Sequence, residues 1–154
     1  MYYTVVAMLM FVFPLASIAI EVVALGGAVG PALVAKWFVF WSVGWRLLLA
    51  GIRQIIQPSY TAKEILGLVS DESSVLVREL GFGNVALGVT GLLSLALPAW
   101  QMAVALAGGI FYALAGLGHV AQAHRNRLEN VAMVSDLFVG VVLLGACAWS
   151  FAGA

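Results

Sequence analysis

The stretch ALVAKWFVFWSVGWRLLLAGIRQII, residues 32–56, decides the fold. A helix that crosses a bilayer needs about 20 mostly apolar residues, and this run supplies them. Gly30-Pro31 opens it and Pro58 closes it; the residue before a proline leaves the helical region, so the run has defined ends. Two arginines, Arg46 and Arg53, sit inside it. In water they would be ordinary. In hydrocarbon each needs a reason.

Four further runs of the same kind occupy roughly 3–26, 75–97, 100–121 and 131–151. Hydrophobic residues make up 64% of the 154-residue chain and charged ones 9%, against about 25% charged in a soluble domain. Too few charges remain to wet a globular surface, so the expected class is all-α: one membrane bundle of five transmembrane helices, 1–154, plus a short interfacial helix. The first run lacks a basic flank and is too long for a signal-peptide core, so it reads as a retained span. Formal net charge is zero, which argues against nucleic acid as a partner. Cys147 is the only cysteine; it makes no intrachain disulfide and reads as apolar filler.

The breaks carry their own chemistry. Gly26-Gly27 ends the first run, and Leu97-Pro98-Ala99-Trp100 is so tight that spans three and four are expected to be antiparallel neighbours. The one sizeable connection is 57–74. Thr61 and Glu64 have capping-box spacing before Ile65, Leu66, Leu68 and Val69, which predicts a short helix along the membrane surface. Asp71, Glu72, Ser73 and Ser74 suit the start of span three, where free amides want acceptors. Gly81, Gly88 and Gly91 on span three, and Gly109, Ala113 and Gly116 on span four, are spaced for close helix packing in lipid.

Five spans put the N-terminus and the second and fourth connections on one side. That side holds Arg53, Lys63, Arg78, Arg125 and Arg127; the other holds Lys36. The positive-inside rule then makes the N-terminus cytoplasmic and the C-terminus external, with Trp37, Trp100 and Trp149 at the outer interface.

Depth follows from about 1.5 Å of rise per residue. Arg46 and Arg53 are seven apart and share a face of span two. Glu79 and Asn84 on span three, His119 on span four and Asp136 on span five fall in the same cytoplasmic half. A charge at the bilayer centre costs about 2.5–3.5 kcal/mol on insertion scales, so a buried polar cluster of Arg46, Arg53, Glu79, Asn84, His119 and Asp136 is expected. Two roles fit it. One is a set of ion pairs that fixes helix register, with Arg53 and Arg78 snorkelling to the interface. The other is a pocket: two arginines on one face invite a lipid headgroup or a carboxylate, and His119 with Asp136 suits proton relay. Glu21 stands apart, toward the outer face. Its partner is open between Lys36 and Arg46, or it is neutral, a charge there being costly. Trp37, Trp41 and Trp45 form a stripe that serves packing or lipid contact, or lends a ring to Arg46.

No metal site has adequate ligands, because His119 and His124 point about 140° apart on a helix. No phosphate loop or serine triad is present. No cofactor is expected, and the chain reads as a non-enzyme. Its candidate partners are membrane lipids, further copies of itself or other membrane subunits, and the main alternative to ligand binding is a structural role in such an assembly.

One segment, Ala123-His124-Arg125-Asn126-Arg127-Leu128-Glu129-Asn130, is similar to the signature of the membrane-associated eicosanoid and glutathione metabolism family. That likeness implies a glutathione-dependent transferase or isomerase with Arg125, Asn126 and Glu129 in the glutathione site. Here, however, the segment opens the fifth span, whereas in that family it opens the second of four. More broadly, Gly44-Trp45-Arg46-Leu47-Leu48, Arg78-Glu79-Leu80-Gly81-Phe82-Gly83-Asn84 and Ala132-Met133-Val134-Ser135-Asp136 resemble small uncharacterised bacterial membrane proteins of DoxX-like look. This resemblance implies a bacterial inner membrane and no assigned activity, and its four spans leave the fifth unaccounted for.

Overall fold

A computed structural model describes residues 2–66 and 73–153. Among them the chain is helical and has no strand. Five helices are long and apolar enough to cross a membrane: α1 (Tyr2–Leu25), α2 (Pro31–Ile56), α4 (Ser73–Leu93), α5 (Pro98–Ala121) and α6 (Arg127–Ala152). The short helix α3 (58–65) links α2 to the segment before α4. The protein is an all-α membrane bundle.

The boundaries obey the breakers. Gly26 ends α1 in the left-handed region, φ 64°, where a side chain would be strained. Pro31, Pro58 and Pro98 each occupy the first turn of a helix, the one place where a missing N–H costs nothing. The helix after α2 therefore starts at Pro58 and not at Thr61. Thr61 lies inside it, buried, and makes no capping bond; a preset proline φ outweighs the capping-box spacing. The expectations placed on Leu68, Val69, Asp71 and Glu72 lie outside the described residues.

Helix α2 is the hub. Ala35, Phe38, Val39, Val43 and Leu47 are all buried, and α2 meets α1, α4, α5 and α6. Small residues set the distances. A Cβ on Gly88 would lie 2.5 Å from the Leu48 nitrogen, and one on Gly91 2.7 Å from the Gly44 nitrogen, so α4 rides directly on the α2 backbone. A Cβ on Gly140 would lie 2.9 Å from the Ala113 nitrogen, which joins α6 to α5 in the same manner. The glycine pattern thus pairs α4 with α2 and α5 with α6. Helices α4 and α5 touch each other too, but less extensively than each touches its main partner.

Both α1 and α2 contain wide π-helical turns, Met8–Val12 and Val39–Trp45. Pro14 has no N–H for the turn before it, which accounts for the first. The two wide turns meet where Ser42 Oγ donates to the Leu9 carbonyl at 3.2 Å. Tyr112 Oη, from α5, donates to the Ser42 carbonyl.

At the end of the bundle that carries the α1–α2 turn, Glu21 finds its partner. Lys36 Nζ lies 2.7 Å from Oε2, and Trp37 Nε1 donates to the same oxygen at 2.7 Å. Trp41 Nε1 donates to Ser17 Oγ at 2.9 Å. Trp37 and Trp41 therefore latch α2 to α1, and the ring near Arg46 is that of Tyr2 and not of a tryptophan.

Candidate binding site

At the opposite end the helices part around a cavity of about 370 Å³, within the range of about 300–1,000 Å³ usual for small-molecule sites. Its walls are the start of α1, the second half of α2, the first half of α4, the second half of α5 and the start of α6; residues of α3 close one side. Most of the lining is aliphatic or aromatic, and the polar groups are few.

Arg46, Arg53, Asn84, His119 and Asp136 all reach this cavity. Glu79 does not line it and is exposed on the outer side of α4. Helical geometry gives the reason. The buried stripe of α4 is Val77, Gly81, Asn84, Gly88 and Gly91, and a residue two places from Val77 and from Gly81 points about 200° away from them. Arg78 is exposed likewise.

The arginines are held by aromatic rings. Arg53 Cζ stands 3.6 Å from the centroid of the Tyr60 ring, and Arg46 Cζ 5.9 Å from that of Tyr2. Among the described residues neither forms an ion pair with a carboxylate. Arg53 lies flat against its ring, which keeps the guanidinium N–H edge free for an acceptor in its own plane, whereas Arg46 also hydrogen-bonds the Tyr2 hydroxyl. Both side chains are half-buried, yet the Nε of each is fully enclosed and has no hydrogen-bond partner among the described residues. Asp136, buried, lies within electrostatic reach of Arg46 and His119.

Two amides bridge α2 and α4. Asn84 Nδ2 donates to Gln54 Oε1 at 2.7 Å, and both residues are buried. On the other wall His119 Nδ1 meets Glu129 Oε1 at 3.1 Å, with the Glu129 side chain 2% exposed. Among the described residues no three His, Cys, Asp or Glu side chains are grouped as a metal site.

The segment around Arg125 is occupied by helix termini. Arg125 Nη1 donates to the carbonyls of His119, Val120 and Gln122 at the end of α5, a common cationic finish for a helix. Asn126 Oδ1 accepts the Glu129 N–H at 2.9 Å and caps α6. Asn126 Nδ2 donates to the carbonyls of Glu64 and Ile65, both at 3.1 Å, and so ties α3 down. Arg125, Asn126 and Glu129 do not line the cavity.

Tyr2, Tyr60, Tyr112 and Gln54 also line it and were not anticipated from the sequence. Gln54 follows Arg53 directly and is the one with a readable signal: an amide deep in an apolar helix demands a partner.

Fold and cavity define a small polytopic membrane protein with a mostly apolar cavity, edged by a few polar groups, in one half of the bundle. The chain belongs to DUF6790, a family of unknown function, over residues 1–152. No curated protein and no solved structure matches it, and nothing connects it with the DoxX-like group or with the glutathione-metabolism family.

Proposed function

We propose that this protein binds a small anionic or amphipathic ligand, a lipid headgroup included, in the cavity between Arg46 and Asp136, without catalysing a reaction. One observation carries the reading. Arg53 stacks on the Tyr60 ring and Arg46 contacts Tyr2, and among the described residues neither forms an ion pair with a carboxylate, so both bring positive charge to the wall of a mostly apolar space. An anion with an aliphatic tail satisfies both parts of that environment. Membrane lipids are then its natural partners. The proposed setting is a bacterial inner membrane with the N-terminus in the cytoplasm, supported by the bias of Lys and Arg toward that side.

The test is titration of the purified chain, in mild detergent, with dodecyl phosphate and with myristate. Arg46→Gln and Arg53→Gln are each expected to weaken binding at least tenfold while the helical spectrum is retained. Unchanged affinity in both variants refutes the proposal. The glutathione reading is disfavoured because Arg125 and Asn126 are committed to helix ends and Glu129 to His119. Saturable glutathione binding lost in Arg125→Ala would restore it.

A further inference from the structure

The cavity presents an acceptor as well as donors. Asn84 is 4% exposed. It belongs to the buried stripe of α4 that faces α2, between Gly81 and Gly88. Its Nδ2 is used by Gln54, which leaves Oδ1 as the free end of the amide. That oxygen is enclosed and meets no donor among the described residues. A buried acceptor in this state is expensive to keep. The enclosed Nε atoms of Arg46 and Arg53 are its complement, two charged donors without an acceptor. All three residues border the same cavity.

An anion alone satisfies the two arginines and leaves Asn84 Oδ1 bare. A cationic donor for Oδ1, such as an ammonium, would be repelled by two guanidinium groups in a low-dielectric setting. A neutral hydroxyl has neither fault: it donates to the amide oxygen and tolerates the positive neighbours. The apolar wall, with Val6, Leu47, Leu80 and Phe111, accepts an aliphatic chain.

We infer that the ligand is a hydroxylated aliphatic-chain anion: its anionic group faces Arg46 and Arg53, and a hydroxyl near that group donates to Asn84 Oδ1. This rests on the anion-binding reading above and narrows it. The shared chemistry occurs both in hydroxy fatty acids and in hydroxylated phosphate esters, so the experiment uses one matched pair of each. The full chain in mild detergent is titrated with myristate and 3-hydroxymyristate, then with dodecyl phosphate and 2-hydroxydodecyl phosphate. The hydroxylated member of at least one pair is expected to bind about tenfold tighter, and the pair that shows it identifies the head group. In Asn84→Leu the preference should fall below twofold; Asn84→Ala serves if the leucine variant does not fold. Equal binding within both pairs by the wild type overturns the inference and leaves the anion site standing. A preference that survives loss of the amide also overturns it. If none of the four probes binds, the anion reading itself fails.

Discussion

Gly88→Ala is the most direct probe of how the bundle is built. A Cβ at this position would stand 2.5 Å from the Leu48 nitrogen and 2.8 Å from its Cα, both backbone atoms, where ordinary contact begins at 3.4 Å. Nothing flexible is there to move aside, so α4 must lift from α2 by about 0.9 Å or tilt. Overpacking of this kind costs about 1–3 kcal/mol, against which alanine returns about 0.5–1 kcal/mol of backbone entropy. The difference centres on a net loss of about 1 kcal/mol, which lowers the Tm of a chain this size by roughly 2–4 °C. Cys147 provides the assay. It is the sole cysteine and lies buried in α6, so a thiol-reactive dye reports unfolding during a thermal ramp. The controls are Gly83→Ala and Gly145→Ala, because a Cβ at either site meets nothing within 4 Å; both should match or slightly exceed the wild type. Since Asn84 lies one turn from Gly88, the Asn84–Gln54 bond should loosen with the helices and ligand affinity should drop. A Gly83→Ala loss equal to that of Gly88→Ala refutes the close-approach argument.

Four other outcomes follow from single contacts. His119→Ala strands the buried Glu129 carboxylate and should destabilise by about 1–3 kcal/mol, whereas His119→Gln, which keeps a donor, should lose less; equal Tm losses would deny the bond any weight. Asn126→Ala removes the α6 cap, worth about 1 kcal/mol, and also frees α3, so exchange of the Leu66 amide, bonded to the Thr61 carbonyl at 3.0 Å, should quicken. Asn126→Asp keeps the cap acceptor and should quicken that exchange with little loss of Tm. Glu21→Gln and Lys36→Gln should each lower Tm slightly and the double variant no more than the worse single, because both break one ion pair; fully additive losses would refute the coupling. Arg46→Leu with Arg53→Leu should bind none of the anionic probes yet be at least as stable as the wild type, since each arginine deep in a span costs about 2.5–3.5 kcal/mol; a collapsed fold would mean that the arginines serve structure.

Much of the architecture was legible because hydrocarbon imposes a coarse rule. A run of apolar residues bounded by Gly30-Pro31, Pro58 or Pro98 has few alternatives to a spanning helix. The common depth of Arg46, Arg53, Asn84, His119 and Asp136 was readable from residue counting alone, and all five border one cavity. Depth says nothing of direction, and there the reading of Glu79 failed. The cure was already in the sequence: Gly81, Gly88 and Gly91 mark the face of α4 that packs, and Glu79 is two residues from Gly81. The tyrosines were harder. Tyr2 and Tyr60 lie at the ends of apolar runs, where an aromatic residue reads equally well as an interface anchor, and only the fold brings their rings onto the arginines. The segment from Arg125 to Glu129 shows the converse hazard. A chain that leaves one helix and enters the next needs donors for the last carbonyls and an acceptor for the first amides, and here Arg125 and Asn126 fill those two roles.

The choice between a register-setting ion-pair cluster and a binding site turns on where the acids go. Among the described residues there are five: Glu21, Glu64, Glu79, Glu129 and Asp136. Glu21 is taken by Lys36 at the far end and Glu129 by His119. Glu64 and Glu79 are exposed. Asp136 alone is left within reach of the cavity arginines, and it makes an ion pair with neither. A register device would bring charges of opposite sign into contact, since attraction between unit charges 4 Å apart rises from about 1 kcal/mol in water to about 4 kcal/mol at an effective dielectric of 20. Here Arg53 instead lies on the Tyr60 ring and Arg46 meets Tyr2, contacts worth about 0.5–2 kcal/mol each, which is less than the roughly 2.5–3.5 kcal/mol an arginine costs at that depth. On the reading proposed above, that shortfall is what an anion entering the cavity would recover.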